Sequence, residues 1–108
     1  MKDTPTEPIL VSTTFPNLEE ARLFAHQALE RRLAACCNII PSVISIYRWK
    51  DELCEDQECL VEIKTVKSRY SILEKLLYEV HPYELPMLLV LPVKGSEKYI
   101  AWIKKETL

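Results

Sequence analysis

His81 is the histidine whose surroundings best suit it for chemistry. It lies at the end of a predicted helix, and the turn that follows it, Pro82-Tyr83-Glu84, restricts the direction of its ring. Because imidazole is a common ligand of copper and zinc, we predict that His81 is a metal ligand. A histidine at a helix end can instead cap the last turn by bonding to the backbone, and that alternative stays open.

Aromatic and charged side chains elsewhere in the chain could bind a small ligand. Tyr47, Arg48 and Trp49 combine two aromatic rings with a guanidinium, which suits either stacking on a planar ligand or packing at an interface. Lys64, in the middle of a predicted strand, could contact an anionic ligand or pair with a neighbouring carboxylate. The predicted ligand pocket consists of Tyr47, Trp49, Lys64, Tyr83 and Glu84.

The four cysteines do not have the spacing of a metal site. Cys36 and Cys37 are adjacent, and four residues separate Cys54 from Cys59, which matches no standard zinc motif. The N-terminus is polar and lacks the apolar stretch of an export signal, so we predict reduced structural thiols and a cytoplasmic location.

Residues 51–56 contain four carboxylates and a thiol, and we expect them to form an exposed acidic turn.

Composition excludes several classes of protein. The chain of 108 residues has one glycine, Gly95, which excludes a glycine-rich phosphate loop and a Gly-x-Ser-x-Gly nucleophile elbow. The 14 basic and 16 acidic side chains are interspersed and give a net charge of −2, so a nucleic-acid surface is not expected. No apolar run approaches the roughly 20 residues of a membrane span. Since no nucleophile can be placed beside a base, we predict that the protein is not an enzyme.

The sequence predicts four strands and three helices. Periodicity and breaking residues predict strands at 9–15, 36–50, 58–66 and 87–93, with helices at about 17–33, 67–81 and after Gly95. Asn17-x-x-Glu20 predicts the capped start of the first helix, and Pro82 predicts the end of the second. The order predicts an α+β fold, a ferredoxin-like βαββαβ sandwich with a C-terminal helix. We predict a flexible tail at 1–8 and one domain at 9–108. The strand at 87–93 is apolar throughout, which is typical of a strand covered on both faces.

The predicted hairpin is long for a domain of this size. Residues 39–50 of its first strand would extend about 40 Å if straight, whereas a chain of this length has a radius of gyration near 13 Å. The hairpin must therefore bend or protrude, and Pro41 marks an expected bulge. Strict alternation puts Ile39, Val43, Tyr47 and Trp49 on one face and Ile40, Ile44 and Ile46 on the other. Because so much apolar surface is seldom left in water, we predict self-association, the alternative being that the last helix covers this face.

Several short motifs occur in a fixed order along the chain. They are Arg32-Leu-Ala-Ala-Cys-x-Asn-Ile-Ile-Pro41, Ser45-Ile-Tyr-Arg-Trp-Lys50, Ile63-Lys-Thr65, His81-Pro-Tyr-Glu-x-Pro86 and Leu91-Pro92. With these motifs the sequence resembles the CutA divalent-cation tolerance family over residues 9–103. The resemblance implies a cytoplasmic homotrimer that acts in tolerance of, or response to, divalent metals, with copper binding and no established catalytic activity.

The resemblance also implies which metal ligands are present. Copper-binding members are credited with a cysteine on the first strand and a His-His pair before Pro-Tyr. This chain has Thr13 and Val80-His81 at those positions, so His81 is the ligand that remains. Asp51 stands where the family favours glycine, and Met87 stands where it often has glutamate.

The sequence is compatible with three functions. The first is a trimeric metal-response protein that binds copper or another divalent cation and requires no cofactor. The second is a trimeric sensor resembling the PII signalling proteins, with a small anionic ligand between subunits. The third is a scaffold trimer without a ligand. All three predict other copies of the chain as partners and neither nucleic acid nor membrane; a further protein partner cannot be named from the sequence.

Overall fold

The fold is the predicted ferredoxin-like α+β sandwich. The computed structural model describes residues 4–108. In chain order the elements are β1 (Pro8–Phe15), α1 (Leu18–Glu30), β2 (Cys36–Trp49), β3 (Glu52–Val66), a short 3-10 helix (Lys67–Arg69), α2 (Tyr70–Val80), β4 (Leu89–Pro92) and α3 (Glu97–Glu106). The strands form one antiparallel sheet in the order β2-β3-β1-β4, which confirms the predicted fold class.

Helix α1 begins where the sequence predicts. Asn17 Oδ1 accepts a hydrogen bond from the backbone N–H of Glu20 at 2.9 Å, and Asn17 Nδ2 donates to Glu20 Oε2 at 2.9 Å, so both residues of the capping motif are engaged. The helix ends at Glu30, short of the predicted end, and Arg32 adopts a left-handed conformation with φ of 56°. This turn directs Leu33, which is 2% exposed, into the core.

One hydrophobic core lies between the helices α1 and α2 and one face of the sheet. Alternate residues of β1 and β3 and the inner stripes of both helices fill it, as the periods of strand and helix require. Its fully buried members include Val11, Phe15, Phe24, Val61, Ile63, Leu73 and Leu77. The rings of Phe15 and Phe24 lie 5.4 Å apart, so the core holds the end of β1, beside which the candidate site lies.

The hairpin between β2 and β3 turns earlier than predicted. The expected acidic turn at residues 51–56 is wrong, because Lys50 and Asp51 alone form the connection and Trp49 pairs directly with Glu52. The φ angles of Lys50 and Asp51 are 49° and 67°, which is the left-handed conformation that a type I′ hairpin turn requires at both central residues. The other carboxylates of the segment therefore lie on β3 and not in a loop.

A bulge in β2 changes which side chains share a face. The register shifts between Ile40 and Val43, beside the predicted bulge residue Pro41. One extra residue in β2 moves every later side chain to the other face of the hairpin. The predicted alternation is therefore wrong: Ile40, and not Ile39, shares a face with Val43. The outer residues of β2 on that face are Ser45, Tyr47 and Trp49.

The hairpin protrudes as predicted. Strand β1 pairs with β3 only from Cys59 to Val66, so residues 52–58 pair with β2 alone. The molecule is accordingly elongated, with extents of 43 × 30 × 24 Å. Helix α3 contacts β3 and β1, but it leaves Ile44 and Ile46 66% and 68% exposed, so the alternative in which this helix covers the hairpin is wrong.

Strand β4 differs from the prediction in length and environment. It spans Leu89–Pro92 at the edge of the sheet, pairs only with β1, and has all four residues exposed within the chain. The expectation that both faces of this strand are covered is therefore wrong within a single chain. Leu89 and Leu91 are 59% and 55% exposed. An apolar run in a sequence does not distinguish a strand buried in its own chain from one that another molecule covers.

The predicted N-terminal tail is partly attached to the sheet. Residues 1–3 lie outside the described residues, and Pro8 already belongs to β1. The carbonyls of Pro5 and Glu7 accept hydrogen bonds from the backbone N–H groups of Ser68 and Lys67 at 2.8 and 2.9 Å. These bonds join the segment before β1 to the segment after β3. The domain boundary at residue 9 stays a prediction.

Candidate functional site

His81 is held by the backbone through both nitrogens of its ring. Helix α2 ends at Val80, and the His81 side chain turns toward the end of β1, where its ring stacks on Phe15 with centroids 4.3 Å apart. Its Nδ1 accepts a hydrogen bond from the Tyr83 N–H at 3.1 Å, and its Nε2 lies 2.6 Å from the Thr14 carbonyl oxygen. Since an amide N–H can only donate and a carbonyl can only accept, the proton is on Nε2. A metal ion at His81 would have to displace one of these two partners.

A pocket of about 830 Å³ lies beside His81. Its walls come from the end of β1, the outer part of the hairpin and the loop that follows α2. The lining residues are Thr14, Pro16, Tyr47, Trp49, Asp56, Gln57, Glu58, Pro82, Tyr83, Glu84, Leu85, Pro86 and Met87. This lining contains three carboxylates and no lysine, arginine or histidine, so the pocket as described carries negative charge.

Two tyrosine–carboxylate pairs line the pocket. The Tyr83 hydroxyl donates to Glu58 Oε2 at 2.6 Å, and the Tyr47 hydroxyl donates to Asp56 Oδ2. Glu58 is only 8% exposed, so its hydrogen bond to Tyr83 satisfies a carboxylate that has little access to water. The Tyr83–Glu58 pair also joins the loop after α2 to the protruding hairpin.

Both phenols are held in the protonated form. The hydrogen bond to Asp56, with a smaller contribution from desolvation, raises the pKa of Tyr47 to about 12. Burial is the main cause that raises the pKa of Tyr83, followed by its hydrogen bond to Glu58. Each hydroxyl therefore uses its proton on a carboxylate and presents only its oxygen to the pocket.

Lys50 places an ammonium group against two residues of the pocket wall. Its Nζ lies 5.6 Å from the centroid of the Trp49 ring and 3.8 Å from Glu84 Oε1. The two charged side chains are 70% and 72% exposed, so this ion pair is weak and easily exchanged. The contact shows that the aromatic face of Trp49 and the carboxylate of Glu84 together accept an ammonium ion.

A family model described as CutA1 divalent ion tolerance protein matches residues 9–106. The chain belongs to this family. It is 40% identical over 99 residues to the divalent-cation tolerance protein CutA of Thermus thermophilus, which covers 91% of this chain and 96% of that protein.

A mammalian relative and a solved structure agree with this membership in the CutA1 family. Protein CutA of Mus musculus is 42% identical over 95 residues, covering 87% of this chain and 54% of that protein, so the chain spans about half the length of the mouse relative. The structure of the divalent cation tolerance protein from Thermus thermophilus superimposes with a TM-score of 0.90 at 40% identity, covering 93% of this chain and 98% of that one. Other relatives are described as chloroplastic in Arabidopsis thaliana and periplasmic in Archaeoglobus fulgidus, so membership of the CutA1 family does not determine the compartment.

Four of the five predicted ligand residues line the pocket. They are Tyr47, Trp49, Tyr83 and Glu84. Lys64 does not: its Nζ donates to Asn38 Oδ1 at 2.6 Å and lies 5.6 Å from the centroid of the Tyr99 ring on α3. The cation that was expected to attract an anionic ligand is therefore engaged elsewhere on the sheet.

Sequence reasoning missed Asp56 and Glu58. Both were separated from the aromatic residues because the turn was expected at residues 51–56, which would place them in a loop or at its end. A two-residue turn at Lys50 and Asp51 brings Asp56 within reach of Tyr47 and puts Glu58 opposite Val43. Reading Lys50-Asp51 in the sequence as a two-residue hairpin turn would have placed both carboxylates on the strand beside the aromatic residues.

The cysteines are free thiols at separate places. Cys54 lies opposite Tyr47 on the hairpin, while the Cys59 thiol donates to the Pro41 carbonyl oxygen at the bulge, 3.2 Å away. Burial, followed by the neighbouring Cys36, raises the pKa of Cys37 to about 12. Within residues 4–108, no three His, Cys, Asp or Glu side chains are grouped to hold a metal ion.

Thr13 stands where the family resemblance implies a cysteine. It is fully buried, and its Oγ1 has no hydrogen-bond partner.

None of the helices in the described part of the chain has both the length and the apolar character needed to cross a membrane.

Proposed function

We propose that this protein acts, without enzymatic activity, in the cellular response to divalent cations, and that it does so as a homotrimer that binds copper or another divalent cation. The observation that carries the proposal is the match to the CutA1 family along residues 9–106. The cytoplasmic location also belongs to the proposal, since the compartments of the relatives differ.

The free edges of the sheet support the homotrimer. Each chain has two different edge strands, β2 and β4, and both present exposed apolar side chains. Unpaired edges readily pair with another chain. Contact between β4 of one copy and β2 of the next is heterologous, and a heterologous contact closes into a ring when the rotation between copies allows it.

The assembly is tested by light scattering after size-exclusion chromatography. A mass of about 38 kDa, three times the 12.6 kDa of one chain, supports the trimer, and 12.6 kDa contradicts it. We expect Leu89→Lys, on β4, to shift the mass toward one chain, because it places a charge at the free edge. Leu23→Lys is a matched control on α1, since Leu23 and Leu89 are 58% and 59% exposed.

The metal site is tested by calorimetric titration with copper. Binding at His81 requires that the ring release either the Tyr83 N–H from Nδ1 or the Thr14 carbonyl from Nε2, so we propose a site that forms with a local rearrangement around the end of α2. His81→Ala should then lower the stoichiometry or affinity, while His26→Ala should not. Equal binding by wild type and His81→Ala removes His81 as a ligand, and an intact trimer that binds no divalent cation supports a scaffold.

The alternative of an anionic ligand has less support. The pocket is lined by Asp56, Glu58 and Glu84, and Lys64 is not part of it. An anion in this pocket would meet like charges at short range. No observation in the described chain favours this alternative over the divalent-cation response.

A further inference from the structure

The walls of the pocket combine three kinds of surface. Tyr47, Trp49 and Tyr83 supply aromatic rings, and three carboxylates supply negative charge. The loop after α2 supplies an apolar wall of Pro82, Leu85, Pro86 and Met87. With about 830 Å³, the pocket is within the range of about 300–1,000 Å³ that small-molecule sites occupy.

The carboxylates and phenols of this wall favour a ligand that donates hydrogen bonds. The carboxylates of Asp56, Glu58 and Glu84 can only accept when ionised, and the hydroxyls of Tyr47 and Tyr83 have already donated their protons to two of them. A ligand that complements these five groups therefore brings hydrogen-bond donors and positive charge, while Thr14 and Gln57 in the same lining can also donate hydrogen bonds. An ammonium group has three donors and one positive charge.

The arrangement suits an organic cation better than a bare metal ion. A chelated metal needs several ligands converging on one point, and no such group of three occurs within residues 4–108. The carboxylates instead lie on two different elements, Asp56 and Glu58 on the hairpin and Glu84 in the loop after α2, and the same lining includes aromatic and apolar side chains. An ammonium on a short hydrocarbon chain can contact all three kinds of surface, because its charge interacts with ring faces and its methylene groups with apolar side chains.

The chain itself supplies an ammonium ion to this wall. Lys50 Nζ lies over the Trp49 ring and beside Glu84 Oε1, at 5.6 and 3.8 Å. The side chains of Lys50 and Glu84 are largely exposed, so the contact can be exchanged for a similar one from solution. Lys50 therefore occupies the position in which a ligand ammonium would be stabilised.

We propose that the pocket binds a small organic cation with a primary ammonium group, and that Lys50 competes with this ligand for Trp49 and Glu84. The inference goes beyond the divalent-cation response and does not depend on it. Metal-free buffer with a chelator keeps the two proposals separate: failure to bind copper leaves this one intact, and the reverse also holds.

The test uses the full-length assembled protein with Trp102→Phe, which leaves Trp49 as the fluorescent indole because the chain has two tryptophans. Putrescine and butylammonium are titrated at constant ionic strength, and butanol and butyrate are the neutral and anionic comparisons. We expect saturable changes in Trp49 fluorescence with the two ammonium compounds only. Equal binding of butyrate, or no saturation by either ammonium compound up to about 10 mM, overturns the proposal.

Three variants at exposed side chains test the contacts without threatening the fold. Removing the competitor with Lys50→Ala should tighten binding about two- to five-fold, which corresponds to one exposed cation–π or ion-pair contact. Glu84→Gln should weaken it by a similar factor, about two- to five-fold. Lys75→Ala, an exposed lysine on α2 outside the pocket, is the matched control and should leave the Kd unchanged. If neither Lys50→Ala nor Glu84→Gln differs from this control, the assignment of the pocket is wrong.

Discussion

The Tyr83 hydroxyl donates a 2.6 Å hydrogen bond to Glu58 Oε2 and thereby joins the loop after α2 to the outer part of the hairpin. Glu58 is 8% exposed, and a carboxylate with so little water contact depends on such a donor. The same two residues line the candidate pocket. One hydrogen bond thus contributes both to the stability of the hairpin and to the shape of the pocket.

Tyr83→Phe should destabilise the protein by about 1–3 kcal/mol, because it leaves a buried acceptor without its donor. The free energy of unfolding is measured with urea at one fixed protein concentration, since association affects the apparent stability. Tyr78→Phe is the matched control: Tyr78 is 53% exposed on α2, and the change there should be within about 0.5 kcal/mol. Equal effects of the two substitutions would contradict a specific role for the bond to Glu58.

Cys37 should make stability depend on alkaline pH. Burial raises its pKa from 9.0 to about 12, so the folded state retains the thiol proton after the unfolded chain has lost it. This contribution is therefore complete below pH 9 and declines as the pH rises from 9.0 toward about 12. The free energy of unfolding of wild type and Cys37→Ala, measured across this window, should converge as the pH increases. A difference that stays constant or widens would show that the thiol proton is not linked to folding.

Thr13→Val should be neutral or stabilising by up to about 1 kcal/mol. Valine has nearly the same shape as threonine and removes a fully buried hydroxyl that has no partner. Thr65→Val is the matched control on the neighbouring strand, because the Thr65 hydroxyl donates to the Leu33 carbonyl at 2.7 Å and its removal should destabilise. Thermal unfolding of both variants distinguishes the two cases. A loss of stability in Thr13→Val as large as that in Thr65→Val would mean that the Thr13 hydroxyl is bonded.

Most of the architecture could be predicted because it follows from local patterns. Asn17 and Glu20 cap α1, Pro82 ends α2, and the apolar residues of each element follow its own period. These signals act within a few residues of each other. They fix the order of the elements, and the ferredoxin-like topology follows from that order.

The candidate site was harder to predict because it depends on register. A turn of two residues, Lys50 and Asp51, puts Asp56 opposite Ser45 and within hydrogen-bond reach of the Tyr47 hydroxyl, whereas the expected longer turn separates them. The carboxylates of this segment have low strand propensity, so the sequence favoured a loop where the structure has a strand. The place of the bulge at Pro41 was predicted correctly. The predicted faces of β2 were nevertheless wrong, because the prediction did not include the change of face that the bulge causes in all later residues.

The hairpin turn can be improved without changing the pocket. Asp51 has a φ of 67°, a left-handed conformation in which a side chain adds strain and glycine does not. Asp51→Gly should therefore stabilise the folded state by about 1 kcal/mol, partly offset by the greater freedom of glycine in the unfolded chain. Asp51→Ala is the comparison, and it should be destabilising, because alanine lacks the short polar side chain that makes this conformation tolerable for aspartate. Urea unfolding at fixed concentration should give the order glycine, aspartate, alanine from most to least stable. The reverse order would show that contacts of the Asp51 carboxylate outweigh the backbone conformation.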